Sequence, residues 1–230
     1  MKKSLSVCPS RKELLWGGMY ILAELFVLPY LLSRANLLLV QPLSAGKLNA
    51  VFFILNFGIT SLIFRSFLKR TLLDAGQRFL GILFAAAAGF FLYWAGNLAV
   101  GSLVLWLDPE FANINDSTIT AMADADFLPI AICTVFFVPV AEELLFRGVL
   151  FAGFYRRSPV SAFLISTIVF SAIHIAAYIG SYPWHTLLLC FIQYIPPSLA
   201  LGWAYAKSGS ILSPMLMHIA INAIGIFVMR

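Results

Sequence analysis

The chain has 230 residues, 61% hydrophobic and 11% charged, with a mean hydropathy of +0.93. A soluble domain of this length does not carry so much apolar surface, so the sequence is that of an integral membrane protein. Its net charge of +5 sits at the ends of apolar segments rather than along a stripe with interleaved aromatics, which excludes a nucleic-acid footprint.

Several apolar runs reach the roughly 20 residues that span a hydrocarbon core as helix, and the period-2 alternation of an outer-membrane barrel is missing. The expectation is one all-α domain over 1–230, a polytopic transmembrane helical bundle of about seven to eight helices. In chain order they are placed at 14–32, 48–68, 78–107, 127–155, 159–179, 185–206 and 210–229. The first run follows Lys2, Lys3, Arg11 and Lys12. It is too long for a signal-peptide core and lacks a small-x-small exit, so it reads as a retained helix. Leu5-Ser6-Val7-Cys8 is not read as a lipidation signal, for want of an apolar region before it. The stretch 127–155 contains Pro139 and is expected to bend or split there, and Pro196-Pro197 bends the helix at 185–206. Cys133 and Cys190 lie in apolar segments and read as packing residues, with no disulfide framework and no metal-binding pair.

With the amino terminus in the cytosol, eleven Lys and Arg fall on inner segments and three, Arg34, Lys47 and Arg230, on outer ones, as the positive-inside rule requires. The long connection Asp108 to Asp126 holds five acidic residues and no basic one, and is expected to be an outer loop. Its Asn115-Asp116-Ser117 matches a glycosylation sequon by pattern only. The expected location is a cytoplasmic membrane of bacterial type.

Three polar motifs interrupt the apolar carboxy-terminal half, and such groups are costly in a bilayer unless paired or hydrated. Glu142-Glu143 with Arg147 comes first. Glu143 and Arg147 are four apart with the favourable Glu-first order, so they read as a self-neutralising structural pair. Glu142 lies about 100° round the helix without such a partner, leaving its carboxylate for a water, a metal or a neighbouring helix. His174 follows Phe170 by one turn, and alone it would read as a satisfied core histidine. His218 and Asn222 share a helical face and can present N–H donors to one ligand atom. Alone, they would read as interhelical glue. Glu142 and His174 each lie about 22 Å along their helices from the expected cytosolic end, at about 1.5 Å per residue. They are therefore expected to meet, while the shallower His218 favours an entrance from the cytosol. Together these groups supply a base, an imidazole and two donors, the parts needed for water-mediated amide hydrolysis. Glu24 and His185 read as structural.

At Glu-Glu-x-x-x-Arg, Phe-x-x-x-His and His-x-x-x-Asn, the sequence resembles the CPBP family of intramembrane proteases, the CAAX protease and bacteriocin-processing enzymes also called Abi. The resemblance covers about 127–229. It implies that Glu142 activates the hydrolytic water with help from His174, that His218 and Asn222 form the oxyanion hole, and that Glu143, Arg147 and Phe170 support the site. Two histidines and a glutamate also make a zinc set, so Glu142, His174 and His218 would be the ligands in a metal-dependent variant. Asn222 is a poor zinc ligand and a good oxyanion donor, which favours the metal-free mechanism with no cofactor. The implied partners are the bilayer and a membrane-embedded or lipidated peptide or protein: CAAX tails, pheromone or bacteriocin peptides, or membrane-protein tails. The alternatives are an ion-binding transporter or channel, against which stands the lack of an inverted repeat, and a catalytically idle immunity or scaffold protein of the same fold.

Overall fold

In hydrocarbon every backbone N–H and C=O must bond within its own segment, so an apolar chain of this kind has helices as its solution. The computed structural model describes residues 5–228. Within them lie α1 (Arg11–Leu37), α2 (Ala45–Ile63), α3 (Arg65–Ala75), α4 (Phe79–Leu107), α5 (Ile114–Ala125), α6 (Phe127–Tyr155), α7 (Pro159–Ala176), α8 (Trp184–Ser208) and α9 (Leu212–Val228). Six of these, α1, α2, α4, α6, α7 and α8, are long and apolar enough to cross a membrane, and α9 is a shorter apolar helix. The protein is a polytopic all-α membrane bundle. Lys2, Lys3 and Arg230, counted in the charge bias, lie outside the described residues.

Two expectations need correction. The helix expected at 48–68 stops at Ile63, turns at Phe64 and resumes as α3, a separate helix carrying Arg65, Lys69 and Arg70. The connection expected to be a loop contains α5, whose first turn is capped by Asn113: its side-chain oxygen accepts from the backbone N–H groups of Asn115 and Asp116. An Asn at this position satisfies donors that a helix start leaves open. The stretch 127–155 is not split: it is one continuous span that contains two π-helical stretches, Cys133–Phe137 and Glu143–Phe151. The break expected at Pro196-Pro197 falls just before them, at Tyr194, between the helical halves Trp184–Gln193 and Ile195–Ser208.

Packing is closest where small residues let backbones approach. A Cβ on Gly89 of α4 would stand 2.9 Å from Met217 Sδ and 3.1 Å from Ala204 Cβ, which seats α4 against α8 and α9. The turn into α9 uses Gly209 at φ 75°, a conformation that costs other residues a steric penalty. The Gly209 carbonyl accepts from Ser6 N and Ser6 Oγ, both at 2.9 Å, so the amino-terminal segment docks on that turn.

Glu13 joins α1 to α3. It closes a capping box with Ser10 and, at 5% exposure, also accepts the Phe67 backbone N–H at 2.7 Å and Arg70 Nη2 at 3.2 Å. Phe67 lies in the first turn of α3, where N–H groups lack intrahelical partners. Glu13→Ala strands that donor and the Ser10 N–H, and is expected to cost about 1–3 kcal/mol. Thermal unfolding in detergent should show a clear loss for Glu13→Ala and a smaller one for Glu13→Gln, which keeps an acceptor; equal melting of wild type and Glu13→Ala would contradict the bridge.

Candidate active site

A fully buried ion pair lies on α6. Arg147 Nη1 lies 3.2 Å from Glu143 Oε1, and both side chains are fully buried. The guanidinium also donates from Nη2 to the Ser198 carbonyl at 3.1 Å and to Ser198 Oγ at 3.2 Å on α8. Its Cζ stands 4.6 Å from the centroid of the Phe170 ring on α7. One side chain thereby fastens three helices, with hydrogen bonds and a ring face in place of water.

The same Glu143 Oε1 accepts from His218 Nδ1 on α9 at 2.9 Å. This contact has no signature in the sequence. A carboxylate paired with arginine can only accept, so Nδ1 carries the proton and Nε2 is left for other work. His174 is fixed in the same sense. Its Nδ1 lies 2.7 Å from the Phe170 carbonyl, an acceptor only, so Nδ1 donates and Nε2 points elsewhere. Both Nε2 atoms face Glu142: His174 Nε2 is 4.0 Å from Oε1 and His218 Nε2 is 3.9 Å from Oε2. The motifs of α6, α7 and α9 thus meet, Glu142 and His174 as their equal depth predicts and His218 although it lies shallower along its helix. These separations are too long for direct hydrogen bonds and are of a size that one bridging water spans. Glu142 Oε2 is buried without a hydrogen-bond partner among the described residues.

Asn222 is held by a backbone defect on α6. In the π register the Val138 N–H bonds to the Cys133 carbonyl, five residues back. The next donor in that register would be Pro139, which has no N–H. The Thr134 carbonyl is left open and accepts from Asn222 Nδ2 at 2.8 Å. One of the two amide hydrogens of Asn222 is used there and the other remains available.

For zinc, the donor types of Glu142, His174 and His218 fit, and the Nδ1 bonds are the outer-shell contacts such ligands make. The spacing does not fit. Ligands about 2.0 Å from a shared tetrahedral ion stand roughly 3.3 Å apart, closer than the 3.9 and 4.0 Å found here. No three His, Cys, Asp or Glu side chains among the described residues are grouped to hold a metal ion.

Residues 124–224 match the family described as type II CAAX prenyl endopeptidase Rce1-like. The matched segment carries all seven residues singled out above. The matching family is of the CPBP type, and the similarity spans less than half of the chain. Helices α1 to α4 lie outside the CPBP match, and no curated protein and no solved structure matches the chain. The matching family is one of proteases, so the similarity points to a protease-type segment.

Glu24 lies within electrostatic reach of Glu142. Glu24, in a π-helical turn of α1, faces the bundle and accepts from Asn56 Nδ2 at 2.5 Å. His185 is exposed. Cys133 and Cys190 are buried free thiols.

Removing Arg147 leaves the Glu143 carboxylate buried without its cation, at a cost of about 3–5 kcal/mol. Arg147→Ala should therefore lower folded yield and melting temperature far more than Glu142→Gln does; equal behaviour of the two variants would show that the pair does not hold the bundle.

Proposed function

We propose that this protein is an intramembrane endopeptidase that hydrolyses a peptide bond in a membrane-embedded or lipidated peptide or protein. The observation that carries this reading is the approach of two imidazole Nε2 atoms to one carboxylate, at 4.0 and 3.9 Å, within a segment of CAAX-endopeptidase type. A water between Glu142 and His174 is oriented by two acceptors, so its oxygen lone pair is directed at the substrate. Glu142 takes the proton as the water oxygen bonds to the carbonyl carbon. The resulting oxyanion accepts from the second Asn222 N–H and from His218 Nε2.

His218 donates from Nε2 only as the imidazolium, because its Nδ1 proton is engaged by Glu143. The charges then alternate along the site: Glu142 negative, His218 positive, Glu143 negative, Arg147 positive. The set is neutral as a whole, which a low-dielectric interior favours over a net charge. Collapse of the tetrahedral intermediate breaks the C–N bond, and Glu142 returns its proton to the leaving amine. Phe170 supports the site twice, through its carbonyl on His174 and its ring beneath Arg147. The reaction so written uses no metal. The proposed setting is a cytoplasmic membrane with the amino terminus inside.

Glu142→Gln keeps the side-chain shape but cannot accept the proton. Turnover of a peptide library by the purified protein should fall below roughly a tenth of wild type, with little loss of folded protein; activity above that level would remove Glu142 as the base. Asn222→Ala should lower kcat by about 10² to 10³ with KM nearly intact, the usual loss for one oxyanion donor. Metal analysis on the same preparation separates the zinc alternative. Full activity in zinc-free protein is expected, and stoichiometric zinc whose removal and return switch activity would replace the metal-free mechanism with one in which Glu142, His174 and His218 are ligands.

A further inference from the structure

Tyr194 stands at the break in α8, the residue before Ile195-Pro196-Pro197. Two prolines in succession withhold the N–H groups that would carry the helix through this point, so the chain turns a corner. The Tyr194 side chain leaves that corner toward α7 and lies flat on the His174 imidazole, with ring centroids 4.1 Å apart and planes 28° apart. His174 also meets the Phe170 ring at 4.5 Å, and the Phe170 and Tyr194 rings stand 6.4 Å apart beside it. The imidazole is therefore packed by two adjoining aromatic rings as well as held by its Nδ1 bond. It lies in the last turn of α7, where a helix end alone would leave it loosely held.

The Tyr194 hydroxyl is pinned in turn by α5. It accepts from Asn115 Nδ2 at 3.0 Å and donates to Asp116 Oδ1 at 3.2 Å. Asn113 Oδ1 lies 3.4 Å away, and the Asn113 amide donates to Gln193 Oε1 at 2.8 Å, tying the same corner down. Asn115 also accepts from the Tyr178 hydroxyl at 3.4 Å, just beyond the end of α7. The start of α5 thus forms a polar roof that fixes one aromatic ring, and that ring fixes the plane of His174. All three α5 contacts belong to the segment expected to be a loop, and Asn113, Asn115 and Asp116 precede the family match, which begins at residue 124.

We propose that Tyr194 is a positioning residue of the site, and that the start of α5 acts on the reaction through it. The ring holds His174 so that Nε2 faces Glu142, and the Asn115 and Asp116 contacts hold the ring. This rests on the hydrolytic reading given above.

The test combines kinetics with a readout that does not depend on activity. Tyr194→Leu removes the stacked ring and is expected to lower kcat by about 10²-fold, the scale of a small misplacement of a reacting group, with KM within about twofold. Tyr194→Phe keeps the ring and loses only the hydroxyl contacts, so kcat should fall about 3- to 10-fold, the equivalent of one hydrogen bond. Asp116→Ala should cost about as much as Tyr194→Phe and should cost nothing more when placed in the Tyr194→Phe background. The chain has three histidines, so the His174 ring protons can be assigned by NMR in detergent through single substitutions. Their ring-current shifts should move strongly in Tyr194→Leu and slightly in Asp116→Ala. Unchanged kcat and unchanged His174 resonances in Tyr194→Leu would overturn the proposal. So would an Asp116→Ala loss of equal size in both backgrounds, since the roof would then act by another route. If Tyr194→Leu does not fold, Tyr194→Phe and the Asp116 cycle still decide. A failure of the hydrolytic reading looks different: Glu142→Gln would keep full turnover, while the His174 resonances would still report whether Tyr194 holds the ring.

Discussion

Glu143 Oε1 is shared by two partners from two helices, Arg147 Nη1 at 3.2 Å and His218 Nδ1 at 2.9 Å, with no exposure of the carboxylate. A charge taken so far from water is tolerated only when paired and hydrogen-bonded, and removal of Arg147 leaves an uncompensated charge in the bundle. At this atom His218 ties α9 to α6, and Asn222 ties them again through the Thr134 carbonyl. The orientation of the imidazole follows from the same contact. With Nδ1 committed to Glu143, Nε2 is turned to Glu142, and a structural pair thereby sets the direction in which the site works.

Backbone irregularities place the remaining groups. The π stretch at Cys133–Phe137 and the missing N–H of Pro139 open the Thr134 carbonyl, which takes hold of Asn222. The π stretch Glu143–Phe151 begins at the pair itself. Pro196-Pro197 break α8 and release Tyr194 toward His174. Irregular backbone at membrane depth is stable only where other protein groups satisfy the freed atoms, and π turns recur at functional sites. Here each irregularity is answered by a side chain of the site or of its surroundings.

Much of this could be read from the residues. High hydropathy and segment length predict the membrane bundle and its apolar helices, and i, i+4 spacing predicts the Glu143 and Arg147 pair. Equal depth along two helices predicts that Glu142 and His174 meet. What escaped the sequence depends on pairing between helices, which spacing within one helix cannot encode. The Glu143 to His218 bond, the Ser198 acceptors for Arg147 and the Thr134 carbonyl beneath Asn222 are of this kind. Helix α5 was missed for another reason. Its polar, acidic sequence lacks an apolar run, and the one local signal was Asn113 ahead of it, a helix-capping residue in a stretch otherwise read as loop. Tyr194 carries no local signal beyond the two prolines that follow Ile195.

The central claim is that both site imidazoles are protonated on Nδ1, one against Glu143 and one against the Phe170 carbonyl, so that both Nε2 atoms are turned toward Glu142 and the reacting groups. Nitrogen-15 spectra of histidine-labelled protein, assigned with His174→Ala, His185→Ala and His218→Ala, test this directly. The account predicts a protonated Nδ1 at both His174 and His218. A neutral tautomer protonated on Nε2 at either residue would contradict it.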